Sequence, residues 1–197
     1  MLRPSLPTGA IIIFLLSSGM SLAAEPLQGS PPGDLIRSPS TVEVQAGEEY
    51  GGGTRIRIGA AGVSFVIPRD WSGGLPPDSA VFILGPLGKP GFGLVFFLRD
   101  VSAEDIAARM SVVQPFAHDL MFEPTGPVKT VGTRLEAAYA GGDMIGRALA
   151  LMGPSHNGVL YFLGSRPEEA AALDRLLEEL AASTVFETEG SFEPPAP

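Results

Sequence analysis

The chain has 197 residues, with 22 Asp plus Glu against 13 Lys plus Arg, a net charge of −9 and no cysteine. So acidic a surface repels phosphate backbones and anionic lipid headgroups, which argues against nucleic acid or a membrane surface as partner. The lack of cysteine excludes disulfides, thiolate metal ligands, thiol redox chemistry and a lipidated thiol, so folding must rest on buried apolar surface alone.

Arg3 and the amino group precede an apolar run, Ile11-Ile12-Ile13-Phe14-Leu15-Leu16. After Ser17-Ser18-Gly19, the small residues Ser21 and Ala23 stand at the two positions a signal peptidase reads. This predicts a cleavable signal peptide over 1–23, cut between Ala23 and Ala24, and a periplasmic or secreted protein. The stretch from Gly9 to Leu16 falls short of the roughly 20 residues that a membrane span requires. No stable anchor is therefore expected in the mature chain, where 12 basic residues face 22 acidic ones for a net −10. Residues 24–53 are rich in Pro, Gly and Ser and read as a flexible leader, in which only Thr41-Val42-Glu43-Val44 alternates. At the far end, 188–197 finishes in Pro194-Pro195-Ala196-Pro197 and reads as a disordered tail.

Between them, 54–187 reads as one domain of short apolar runs punctuated by Gly and Pro. Strands are predicted at Arg55 to Ile58, Val63 to Ile67, Ala80 to Leu84 and Leu94 to Leu98. A helix follows, capped by Ser102 with Asp105 three residues on and continuing through Ile106, Met110 and Val113. Pro115 interrupts it, and Phe116 to Phe122 reads as a further turn or two of helix. Strands return over Thr130 to Tyr139, Met144 to Met152 and Val159 to Leu163, the last two joined through Asn157-Gly158, a pair suited to a tight hairpin. A final helix is expected after Ser165, with Pro167 in its first turn and Glu168 completing a capping box. Its Leu173, Leu176, Leu177 and Leu180 form one apolar stripe, opposite Glu168, Asp174, Glu178 and Glu179. Tight connections within the strand groups favour antiparallel pairing, and the fold class is α+β, an antiparallel sheet covered by helices.

The run Gly62-Val63-Ser64-Phe65-Val66-Ile67-Pro68-Arg69-Asp70-Trp71 resembles the opening of PsbP-like domains, the superfamily that includes PsbP and DcrB-like envelope proteins. Gly158-Val159-Leu160-Tyr161-Phe162 and Ser183-Thr184-Val185-Phe186 are similar to its close. The resemblance spans most of Gly62 to Phe186. It implies an α/β/α sandwich and a mostly non-enzymatic superfamily whose binding roles differ between members.

The residues themselves offer little chemistry. His118 and His156 are the two histidines and share no metal-ligand spacing, so neither a metal nor another cofactor is expected. A hydrolase would have to draw on Ser64 or Ser155 with His118 or His156 and Asp119 or Asp143, but neither serine lies in Gly-x-Ser-x-Gly. The adjacent acids Glu104-Asp105 and Glu178-Glu179 do not converge on a helix. Lys89 sits in the glycine-rich run Gly85 to Gly93, yet Pro90 follows it and a strand comes next, so a hairpin loop is expected rather than a phosphate cradle. Trp71, the sole tryptophan, reads either as a plug for the sheet's end or as a platform for a ligand. Arg69 and Arg147 are placed near the sheet ends, where either can meet an anionic ligand. The expected function is a non-catalytic envelope domain binding a protein partner or a small apolar ligand; the alternative is a small secreted serine hydrolase using His118 or His156.

Overall fold

The computed structural model describes residues 41–117 and 120–187. The predicted signal peptide, its cleavage site at Ala23 and Ala24, the first part of the leader and the tail lie outside the described residues, as do His118 and Asp119. Strands run β1 (Thr41–Glu43), β2 (Glu49–Tyr50), β3 (Arg55–Ile58), β4 (Val63–Val66), β5 (Trp71–Gly74), β6 (Val81–Pro86) and β7 (Phe92–Leu98). Helix α1 (Ala103–Met110) follows, then β8 (Gln114–Ala117), β9 (Leu120–Pro124), β10 (Lys129–Val131), β11 (Arg134–Gly141), β12 (Met144–Met152) and β13 (Gly158–Ser165). Helix α2 (Ala170–Ser183) and β14 (Val185–Phe186) close the fold.

The strands form two sheets. The larger has the order β2-β5-β6-β7-β13-β12-β11-β9-β8, with β10 also paired to β11, and all its ladders are antiparallel. The smaller has the order β1-β3-β4-β14 and one parallel pair, β1 with β3. The α+β class and the mainly antiparallel pairing agree with the expectation from sequence.

The cover on the large sheet differs from that expectation, because neither face is closed by helix alone. Alternate residues of β13 point to opposite faces, as strand geometry requires. Val159, Tyr161 and Leu163 enter one core with Leu149 of β12 and Phe82 and Leu84 of β6. This core is sealed by Leu173, Leu176, Leu177 and Leu180 of α2 together with Ile56, Val63 and Phe65 of the small sheet. On the other face, Phe162, Ala148, Ala150, Leu135 and Tyr139 pack beneath Ile106 and Met110 of α1, with Phe116 and Phe122 of the β8–β9 hairpin completing the cover. Hydrogen bonds pin both covers: the Tyr139 hydroxyl donates to the Met110 carbonyl at 2.6 Å, and burial pushes this phenol up to about 12. Thr184 Oγ1 donates to Leu180 O, which leaves the buried Tyr161 hydroxyl to donate to Thr184 at 2.7 Å.

Several local expectations are corrected. Two short strands lie within the predicted leader, β1 paired to β3 and β2 paired to β5; Val42 packs on the first core and Tyr50 is buried there. Helix α1 has the predicted Ser102–Asp105 capping box but stops at Met110, and Val113 is exposed. The described residues between Phe116 and Phe122 lie in the strands β8 and β9, not in a helix: extended backbone delivers Phe116 and Phe122 to one core. Thr130 to Tyr139 is split between β10 and β11 by a turn at Gly132, whose φ is +60°. The β12–β13 connection turns through a 3-10 segment at Pro154–His156; the positive φ falls on His156 at +59°, while Asn157 is at −89°. The predicted Ser165–Glu168 capping box does not form. Ser165 ends β13 with its hydroxyl donated to Pro90 O, and a 3-10 turn at Pro167–Glu169 leads into α2. Strand β5 has no apolar alternation because it must lie close to β6: a Cβ on Gly73 would sit 2.5 Å from the Phe82 ring.

Leu180 has no exposed surface and faces the first core, so Leu180→Ala is expected to lower unfolding stability by about 3 kcal/mol. Glu179→Ala, one position round the helix and exposed, is expected to stay within about 0.5 kcal/mol of the parent in the same urea titration. Equal losses would contradict the assigned helix face.

Candidate functional site

Helix α2 is narrower than the sheet it covers, and a groove opens along each flank. The first groove encloses about 490 Å³ and is bordered by Lys129, Arg134, Glu136, Arg147, Asp174 and Glu178 among others. The second encloses about 430 Å³ between α2 and two loops, one reaching Trp71 and the other joining β6 to β7. Both volumes fall in the range of ordinary ligand clefts.

Arg147 belongs to the first groove and is not near a sheet end. It lies within β12, on the face that carries Leu149, and its Nε donates to Asp174 Oδ1 at 3.0 Å. Arg134, on the same face of neighbouring β11, meets both Glu178 oxygens, with Nη1 to Oε2 at 2.9 Å, and donates from Nε to Glu136 at 2.5 Å. The Arg134 guanidinium holds the Glu178 carboxyl below its ordinary 4.5. These charges bind α2 to the sheet and satisfy one another. Arg134 and Glu178 are 44 positions apart, and no sequence periodicity links a strand to a distant helix.

Trp71 and Arg69 belong to the second groove, together with Asp70, Lys89, Glu169, Arg175 and Glu179. Trp71 is half-buried and does two things: it packs against the first core, and it borders the groove beside Pro68, Pro86 and Pro90. The pairing that builds this corner is Trp71 opposite Pro86 at the start of the β5–β6 ladder, backed by Leu87 N donating to Asp70 O at 2.8 Å. That ladder brings Lys89 to Trp71. An unread β5 is why the sequence did not join them; the Gly73-Gly74 pair, flanked by Trp71, was the available signal. Among the described residues, the side chains of Arg69, Asp70, Lys89, Glu169, Arg175 and Glu179 make neither an ion pair nor a hydrogen bond. One flank of α2 is closed by mutual charge pairing, and the other keeps three cations and three carboxylates open to solvent.

Of the groups named for a hydrolase, Asp143 and His156 stand at opposite ends of β12, so the nine residues of the strand separate them by about 30 Å. Ser64 is buried in β4, where its hydroxyl accepts from Arg55 at 3.4 Å. Among the described residues no three His, Asp or Glu side chains gather as metal ligands. No described helix is long and apolar enough to cross a membrane.

No known family matches the chain, and no curated protein sequence matches it. Among solved structures it is similar to cyanobacterial PsbP (CyanoP) from Synechocystis sp. PCC 6803, at 14% identity and a TM-score of 0.46, over 77% of this chain and 98% of that one. It is also similar to the Saccharomyces cerevisiae Ran-binding protein Mog1p, at 12% identity and a TM-score of 0.44, over 71% of this chain and 94% of that one. A PsbP structure, from the superfamily that Gly62 to Trp71 resembles, is among these similar structures. At these identities the likeness assigns no site, ligand or partner.

A second ion-pair cluster fastens the end of the domain: Arg57 donates to both oxygens of Glu187, from Nε at 2.5 Å and Nη2 at 2.7 Å, and reaches Glu43 at 3.0 Å. The hydrogen bonds from Arg57 hold the Glu187 carboxyl below its ordinary 4.5. Depressed carboxyls contribute stability that is complete above the unfolded-state value and is lost as pH falls through the folded one. Thermal unfolding is therefore expected to be level from neutrality to the glutamate range and to drop below 4.5, and Glu187→Gln with Glu178→Gln is expected to shrink that drop. An unchanged drop in the double variant would assign the acid sensitivity to other groups.

Proposed function

We propose that this chain is an exported, non-catalytic binding domain of the cell envelope, whose ligand seats in the groove beside Trp71. The observation that carries the reading is the groove itself: about 430 Å³, floored by Trp71, Leu173 and Leu176 and rimmed by charged side chains that have no partner within the described residues. An aromatic that is anchored in a core and also borders a cleft offers apolar area with little further ordering on binding. Unspent charges at the rim supply orientation. Arg69, expected from sequence to meet a ligand, is part of this rim; Arg147 is held by Asp174 and is assigned to helix attachment instead. The occupant is a segment of a protein partner or a small, largely apolar molecule. Export rests on the basic start, the apolar run to Leu16 and the Ser21-Leu22-Ala23 site.

The test uses protein recovered from the envelope fraction of its own cells, where amino-terminal sequencing is expected to begin at Ala24; a chain starting at Met1 would contradict export. With the mature protein as bait, Trp71→Ala and Arg69→Glu are each expected to reduce retention of a bound species by about tenfold or more, as for loss of an aromatic or charged anchor. Arg147→Ala is expected to retain it. Equal retention by all four baits would overturn the site.

A further inference from the structure

We infer that the Trp71 groove takes an extended peptide segment whose charged side chains alternate in sign, acidic toward the loops and basic toward α2. This rests on the binding reading above and names its occupant. The two walls differ in charge. The loop wall presents Arg69 and Lys89 with one carboxylate, Asp70, whereas the helix wall presents Glu169 and Glu179 with one cation, Arg175. The balance therefore favours anions on one side and cations on the other.

The shape is elongated. From Glu169 to Glu179 the groove follows ten residues of helix, about 15 Å at 1.5 Å per residue. An extended chain at about 3.3 Å per residue places four or five residues along that length. Successive side chains of an extended chain point to opposite sides, so a single strand laid in the groove addresses the two walls in turn. An acidic residue facing Arg69 and Lys89 is then followed by a basic one facing Glu169 or Glu179, and a central apolar residue on the loop side meets Trp71. The other flank of α2 offers no such reading, since Arg134 and Arg147 are already engaged with Glu136, Glu178 and Asp174.

Trp71 is the sole tryptophan of the chain, so its intrinsic fluorescence reports the groove without a label. The probe is the blocked pentapeptide Glu-Lys-Leu-Lys-Glu, whose first, third and fifth side chains face one wall and whose second and fourth face the other. Its control is Lys-Lys-Leu-Glu-Glu, of identical composition and net charge. Saturation of the fluorescence change at a concentration about tenfold or more below that for the control is expected. Arg69→Glu with Lys89→Glu is expected to erase that preference, and Glu178→Gln on the far flank to preserve it. Equal binding of the two peptides, or no saturation by either at millimolar concentration, would overturn the peptide assignment. A saturating response to monomeric dodecyl maltoside with neither peptide bound would also overturn it, while leaving the groove a site for a small amphiphile. Silence toward all three probes, with unchanged capture by the Trp71→Ala bait, would remove the groove reading itself.

Discussion

The structure depends on a sheet whose central strands are apolar on both faces. In β13, Val159, Tyr161 and Leu163 face one way, while Leu160 and Phe162 face the other; β12 and β7 alternate in step with it across their antiparallel ladders. Full burial of one such side chain contributes roughly 1.5–3 kcal/mol, so leaving either face wet would cost more than a small domain's whole stability margin. Two covers are therefore obligatory in a chain that has no disulfide to help. Each cover is a helix plus a strand unit: α2 with the small sheet on one face, α1 with the β8–β9 hairpin on the other.

The candidate site follows from how α2 fits over its face. A single helix is about 10 Å across and cannot span the exposed width of a many-stranded sheet, so grooves remain at its sides. The chain treats the two sides differently. On one, Arg134 and Arg147 rise from the sheet to Glu178 and Asp174 and hold the helix down. Such exposed pairs contribute little to stability individually, and their effect here is to occupy the groove's charges. On the other side Trp71 provides apolar surface, and the surrounding cations and carboxylates stay unspent. That asymmetry directs the functional reading to Trp71, where an incoming ligand meets charges that need not first be released.

Much of the architecture was legible in the sequence, and the failures have physical causes. The leucine stripe of α2 was readable from its period, the Ser102 cap from its spacing to Asp105, and the strands from Leu94 to Leu98 and Val159 to Leu163 from short continuous apolar runs that are buried on both faces. Strand β5 was hidden because close packing on β6 selects Gly73, and the close approach of the Glu48 backbone selects Gly74, over branched side chains. The β8–β9 segment was misread as helix because Phe116 and Phe122 suit either conformation, and the deciding factor is which core is left uncovered. Val42 and Tyr50 sit among Gly and Glu, so their place in a core emerges only with the strands they join. At the site, Trp71 and Arg69 were identified as candidates, but Lys89, Glu169 and Glu179 reach them only through the β5–β6 ladder and the seat of α2. Arg147 was misplaced for the same reason: its partner Asp174 is 27 residues away on a helix whose docking no local pattern reveals.

Native-state hydrogen exchange followed residue by residue tests the two-faced sheet most directly. Amides of β7, β12 and β13 are expected to exchange only through global unfolding, with an opening free energy equal to that from urea denaturation, whereas those of β1, β2 and β10 at the sheet edges exchange through smaller openings. If the β13 amides exchanged through local opening as easily as those edges, or if α2 remained protected while β13 did not, the sheet would not be the element on which both covers depend.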